Sequence, residues 1–179
     1  MNKITRFKNI PQFTRFGNWQ INISLADIPF QIRKWQEDEY YNLQLNPKFQ
    51  RGHVWTEQQQ VSYVEFILRG GKSARTIYFN APSWGGVLPS TQYDEFVCVD
   101  GLQRVTAVLK FMNNEIKVFG SYYKEFEDHL PLNAELLFNV NNLQTEGEVL
   151  QWYVDMNVGG TLHTSDEIER VRKMIRELV

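Results

Sequence analysis

Phe96-Val97-Cys98-Val99-Asp100-Gly101-Leu102-Gln103-Arg104 carries an apolar run through a glycine turn into a helix-like run, Val105 to Met112. A buried strand feeding a helix in this way leaves the helix's first N–H groups aimed at one spot. Those unpaired donors, with the positive end of the helix dipole, favour an anion there. Gly101 lets the backbone approach a ligand, and Arg104 adds a planar fork of donors suited to phosphate. Asp100 sets an acid beside that anion site, suited to a metal, a water or a sugar hydroxyl. Asp-Gly is also an ordinary turn pair, and arginine is common in a first helical turn, so the stretch has a plain structural reading too.

Outward from this junction, short strands alternate with helices of unequal length. Gln20 to Ser24 alternates like a strand, and Ile28 to Trp35 carries apolar residues at helical spacing behind Pro29. Tyr41 to Leu45 alternates again before the turn signal Asn46-Pro47. Thr56-x-x-Gln59 is a capping box for a helix whose apolar face holds Val61, Val64, Ile67 and Leu68 and which ends at Gly70-Gly71. Thr76 to Phe79, Glu95 to Val99 and Leu136 to Val140 read as strands, and 81–92 as a surface loop. Thr145-x-x-Glu148 and Thr164-x-x-Glu167 cap two further helices. The strands are too few and irregular for a doubly wound sheet, which predicts a compact α+β domain.

At 179 residues, one domain with a substantial core is expected. The hydrophobic fraction of 42% and the charged fraction of 22% are those of a soluble globular protein. A formal charge of −2 argues against a dedicated DNA-coating role, which normally shows a basic excess. The charge is uneven: Lys3, Arg6, Lys8 and Arg15 lie among Phe7, Phe13 and Phe16, with no acid in the first eighteen residues. Such a basic, aromatic arm over 1–19 suits phosphate contact and base stacking on nucleic acid, or else packs its rings on the domain at 20–179. The single cysteine, Cys98, sits in an apolar run and reads as a buried core residue in a reducing compartment. No stretch approaches membrane-spanning length and no signal-peptide segment is visible, so a cytoplasmic protein with no membrane partner is expected.

Two further constellations carry chemistry. Asn46-Pro47-Lys48-Phe49-Gln50-Arg51-Gly52-His53-Val54-Trp55 offers a rigid turn, an arginine oriented by Gln50, and two aromatics ahead of a helix. Arg51 reads as the second arm of an anion clamp or as half of a structural ion pair, with Phe49 and Trp55 in the core. His53, His129 and His163 lack partners spaced for a zinc site. Asn157-Val158-Gly159-Gly160 joins two helices with more glycine than a cap needs, so it is either a close approach to a ligand or a sharp turn.

Together, Asn46-Pro47-x-Phe49-Gln50-Arg51-x-x-Val54-Trp55, then Asp100-Gly101-x-Gln103-Arg104, then Asn157-x-Gly159-Gly160 with a helix bearing Glu169, occur in an order that resembles one family. It is the ParB/sulfiredoxin-like domain at the N-terminus of GmrSD-type modification-dependent restriction enzymes, whose signature reads DGQQR. The resemblance covers roughly 20–178.

It implies a small mixed sheet flanked by helices, with the DGxQR turn lining a nucleotide-phosphate pocket. Asp100, Gly101, Gln103 and Arg104 would form its centre, Gln50 and Arg51 would face it from the first motif, and Asn157, Gly159 and Gly160 from the third. Relatives bind or hydrolyse nucleoside triphosphates with a divalent cation such as Mg2+, and several act in phage defence or DNA partition. The implied activity is metal-dependent NTP hydrolysis, with Asp100, Gln103 and Arg104 as catalytic residues and Asp100 as metal ligand. The alternative is a non-catalytic nucleotide- or DNA-binding regulator or decoy; a DNA nuclease is a weaker one. Implied partners are an NTP and DNA or a defence or partition protein, with homo-oligomers among relatives. Leu102 departs from the signature, standing where DGQQR has its first glutamine. The downstream nuclease half of those enzymes is expected to be absent.

Overall fold

Alternating apolar residues and local capping groups place the strands and helices in an α+β arrangement. A computed structural model of the protein describes residues 3–10, 19–50, 52, 54–158 and 165–178. In chain order the elements are β1 (Trp19–Ser24), α1 (Ile28–Glu37), α2 (Glu57–Leu68), β2 (Thr76–Asn80), β3 (Val97–Asp100), α3 (Leu102–Met112), β4 (Glu135–Asn141), α4 (Glu146–Val158) and α5 (Ser165–Glu177). The sheet order is β1-β4-β2-β3. β4 pairs antiparallel with β1 and parallel with β2, while β2 and β3 are antiparallel, so the small sheet is mixed, as expected.

Several elements follow from residues a few positions away. Thr56 Oγ1 accepts from the Gln59 N–H at 3.3 Å, and Gln59 Oε1 accepts from the Thr56 N–H at 2.9 Å, closing the capping box of α2. At α4, Thr145 Oγ1 accepts from the Glu148 N–H at 3.2 Å and Glu148 Oε2 accepts from the Thr145 N–H at 3.0 Å. The Thr164 box lies outside the described residues. Tyr41 to Leu45 does not become a strand of its own. Asn42 turns the chain with a φ of +41°, and only Gln44 bridges to β3, its N–H donating to Phe96 O at 2.8 Å.

The sheet separates two apolar layers. Leu136, Phe138 and Val140 of β4, Ile77 and Phe79 of β2 and Cys98 of β3 pack beneath α1, α2 and α3. On the opposite face, Val97 and Val99 pack with Val149, Leu150, Trp152 and Tyr153 of α4 and with Ile168 and Val171 of α5. Strand alternation puts Val97 and Val99 on the face opposite Cys98, and a bulge between Tyr78 and Phe79 pairs Phe79 with Cys98 and Tyr78 with Asp100, leaving Val99 as the extra residue. Buried Cys98 is a core residue with its thiol pushed well up by burial, with Asp100 adding to the rise and Arg104 opposing it. Among the described residues, no helix is long and apolar enough to cross a membrane.

Candidate functional site

β3 ends at Asp100 and α3 starts at Leu102, with Gly101 between them at a φ of +112°. Only glycine adopts that conformation easily, and packing demands it as well. A Cβ on Gly101 would stand 2.7 Å from Ile77 Cδ1 and 3.3 Å from Ile77 Cα. The close approach that this glycine permits is therefore to β2. The Val105 N–H bonds to Gly101 O at 2.9 Å, and among the described residues no side chain caps the helix start. A helix start of this kind keeps first-turn N–H groups and a positive dipole end available, the setting in which anions bind.

Arg104 is anchored from several sides. Its Nη1 donates to Thr76 O at 2.7 Å and its Nη2 to the Asp100 carboxylate one turn earlier. The guanidinium thus ties the end of β3 to the start of β2 and holds Asp100 in place. Tyr63 of α2 joins this support by donating to Ala74 O at 2.9 Å, and burial pushes its phenol up to about 12 against the pull of Arg104 and Arg75.

Two glutamines fasten the first motif to the second. Gln50 Nε2 donates to Val99 O at 2.9 Å and to Cys98 O. Gln103 Oε1 accepts from the Val54 and Trp55 N–H groups at 2.9 and 3.1 Å, and its Nε2 donates to Gly52 O at 3.1 Å. Sequence reasoning offered Gln103 as a catalytic residue; its observed contacts are a clamp on the chain across 52–55. α5 adds a tie that the sequence did not reveal, Arg170 Nη2 donating to Phe49 O at 2.9 Å. Phe49 itself is core, ring to ring with Tyr153 at 5.3 Å.

The other predicted residues fall as follows. Arg51, His53, Gly159, Gly160 and Arg15 lie outside the described residues, as does the side chain of Lys8. Asn157 is buried and donates to Tyr153 O at 2.7 Å. Lys3 and Arg6 are exposed, and Phe7 is 92% exposed, so this ring of the arm does not pack on the domain. Leu102 is 7% exposed, packed inward at the first position of α3. Among the described residues, no three His, Cys, Asp or Glu side chains group as a metal site.

Sequence reasoning also passed over a set of buried amides at the end of β2 and in and just after β4. Asn80 is satisfied there, accepting from the Leu143 N–H at 2.8 Å and donating to Leu143 O at 3.0 Å. Asn139, Asn141 and Asn142 are not: each Oδ1 is buried without a hydrogen-bond partner. Their signal was Asn139 interrupting the apolar run Leu136 to Val140, with Asn141 and Asn142 directly after it. Among the described residues, cavities also open away from the first two motifs. One of about 210 Å³ is walled by Phe111, Phe119 and Tyr123, and a groove of about 470 Å³ runs beside Trp19, Trp35 and Trp84.

A family model described as "GmrSD restriction endonuclease, N-terminal domain" matches residues 32–156. The match begins inside α1, takes in the first two motifs, and stops one residue short of Asn157. No curated protein and no solved structure matches the chain.

Proposed function

The chain belongs to the family of the GmrSD restriction endonuclease N-terminal domain, and from that premise we propose that it is a nucleotide-phosphate-binding domain linked to restriction, seating the phosphates at the start of α3. The observation that carries this reading is the uncapped first turn of α3 beside Asp100, with the first motif clamped next to it. The helix end supplies oriented N–H donors and roughly half a unit of positive charge. Arg104 and Asp100 largely cancel each other's charge, so Arg104 acts chiefly by orienting Asp100. Arg51, between the Gln50 and Gln103 anchors in sequence, is the cation we assign to the phosphates. We assign Asn157, Gly159 and Gly160 of the third motif to the same pocket on the resemblance alone.

Nucleoside triphosphate hydrolysis is the reaction this pocket suits best. A divalent cation such as Mg2+ fits the donor set when the phosphates bring most of its ligands, because among the described residues Asp100 has no cluster of further carboxylates, histidines or cysteines beside it. Such an ion supplies neutralisation of phosphate charge. Gln103 is a positioning residue in this scheme, since its amide is occupied by the backbone of 52–55.

A thermal-shift panel of ATP, GTP, CTP and UTP, each with and without magnesium, tests the reading. Binding at a hundredfold excess over Kd stabilises by about 2.7 kcal/mol. For a chain of this length that is roughly a 5–10 °C rise in Tm. A flat panel overturns the nucleotide assignment. Arg104→Ala is expected to weaken nucleotide binding in the presence of magnesium and to slow phosphate release, measured by calorimetry and a phosphate assay. Equal behaviour of variant and wild type with every NTP removes Arg104 from the site.

A second reading, a non-catalytic nucleotide- or DNA-binding regulator or decoy, is favoured by Leu102. Its buried side chain leaves the helix start without the polar group that DGQQR has there. Tight nucleotide binding without phosphate release is its signature.

A further inference from the structure

The sheet carries a cross-strand row of three polar residues and one tyrosine, Tyr78, which packs against the second core layer. Gln20, Asn139, Tyr78 and Asp100 stand opposite one another on β1, β4, β2 and β3. The neighbours of Asn139 on β4, Phe138 and Val140, point into the core beneath α1–α3. Alternation therefore turns Asn139 to the other face, the one that Tyr78 shares. There the Tyr78 ring stands edge-on to Trp152 of α4, centroids 5.9 Å apart. Asn139 is 2% exposed with an unpartnered Oδ1, and Asn141, two residues on and on the same face, repeats that condition. Asn80, fully bonded to the Leu143 backbone, shows how a structural amide on this face is satisfied. A buried carbonyl left open weakens the fold unless something else donates to it.

We propose that Asn139 reads the base of the nucleotide whose phosphates sit at the start of α3, with Tyr78 as the ring beside which the base lies. The inference rests on the nucleotide reading above and extends it to the kind of base. Strands lie about 4.8 Å apart, so the row runs roughly 10 Å from Asp100 to Asn139, comparable to an extended mononucleotide. Its order is anion site, aromatic ring, amide, which follows the order phosphate, ring, hydrogen-bonding edge. Tyr78 and Asp100 are half-buried and Asn139 buried, so from Asp100 the row closes inward. The open atoms on this face are acceptors, and they call for a ligand edge rich in donors. An exocyclic amine supplies two N–H groups, so the ligand is a nucleoside triphosphate with an amino-bearing base: adenine, cytosine or guanine. Uracil lacks that amine.

The experiment compares ATP, CTP, GTP, UTP and inorganic triphosphate by calorimetry on the full chain, wild type and Asn139→Leu. At least one amino-bearing NTP is expected to bind wild type at least about tenfold more tightly than UTP and inorganic triphosphate. Asn139→Leu is expected to erase that advantage, leave triphosphate affinity unchanged, and melt no lower than wild type, because an open acceptor has been replaced by an apolar group of similar size. Wild type that binds neither triphosphate nor any NTP overturns the nucleotide reading itself. Wild type that binds inorganic triphosphate and all four NTPs alike overturns only the role of Asn139, and that comparison needs no variant. Discrimination retained in Asn139→Leu, or a variant that melts well below wild type, also overturns it, the latter by showing the amide to be structural.

Discussion

At the scale of single residues, the site owes its shape to side chains that bond to backbone. Arg104, Gln50 and Gln103 all reach main-chain carbonyls or N–H groups, and these contacts set where the first two motifs meet. Tyr63 belongs to the same support and makes it sensitive to alkali. The folded protein holds the Tyr63 proton up to about pH 12, because burial disfavours the phenolate, whereas the unfolded chain releases it near the ordinary value of 10.0. The stability this group contributes is complete below pH 10 and is lost as pH rises toward 12. Denaturation midpoints measured across that window are expected to fall. Tyr63→Phe should start about 1 kcal/mol lower, from the lost bond to Ala74 O, and decline less steeply. Tyr93, also pushed up by burial, retains part of the slope in the variant.

Among the elements, α3 is the one on which the proposed site depends, and Gly101 sets its start. Gly101→Ala puts a side chain into a φ of +112° and against Ile77. Backbone strain alone costs about 1–3 kcal/mol, and relief of the contact must shift α3 or β2. A Tm several degrees lower, with weakened triphosphate binding, is expected; an unchanged Tm shows that the turn relaxes freely. The β3–α3 junction and the capping boxes of α2 and α4 were legible in the sequence because each rests on residues within a few positions. Tyr41–Leu45 misled because alternation alone carries no information about whether a partner strand runs alongside. The clamp by Gln103 was illegible for a similar reason: its partners lie 51 residues earlier, at Gly52, and nearby. Asn139 sat inside a strand the sequence did predict, Leu136 to Val140, but sequence alone did not show that both faces of β4 are covered.

For the whole molecule, two packed layers leave the sheet's outer strand β1 open to solvent along much of its length, with the basic arm leading into it. If the arm holds DNA phosphates, replacing Lys3, Arg6, Lys8 and Arg15 by glutamine should flatten the plot of log K against log salt by up to about 3.6, at about 0.9 per phosphate contact. An unchanged slope takes the arm out of DNA binding. The ties that close the site have a further bearing on how the chain reaches its native state. They span 51 residues from Gln103 to Gly52 and 121 from Arg170 to Phe49. Closing loops of that length is entropically slow, so these contacts belong on the native side of the folding barrier. A ligand that grips the finished site should therefore act as a brake, lowering the unfolding rate constant in a chevron experiment while leaving the folding limb where it was.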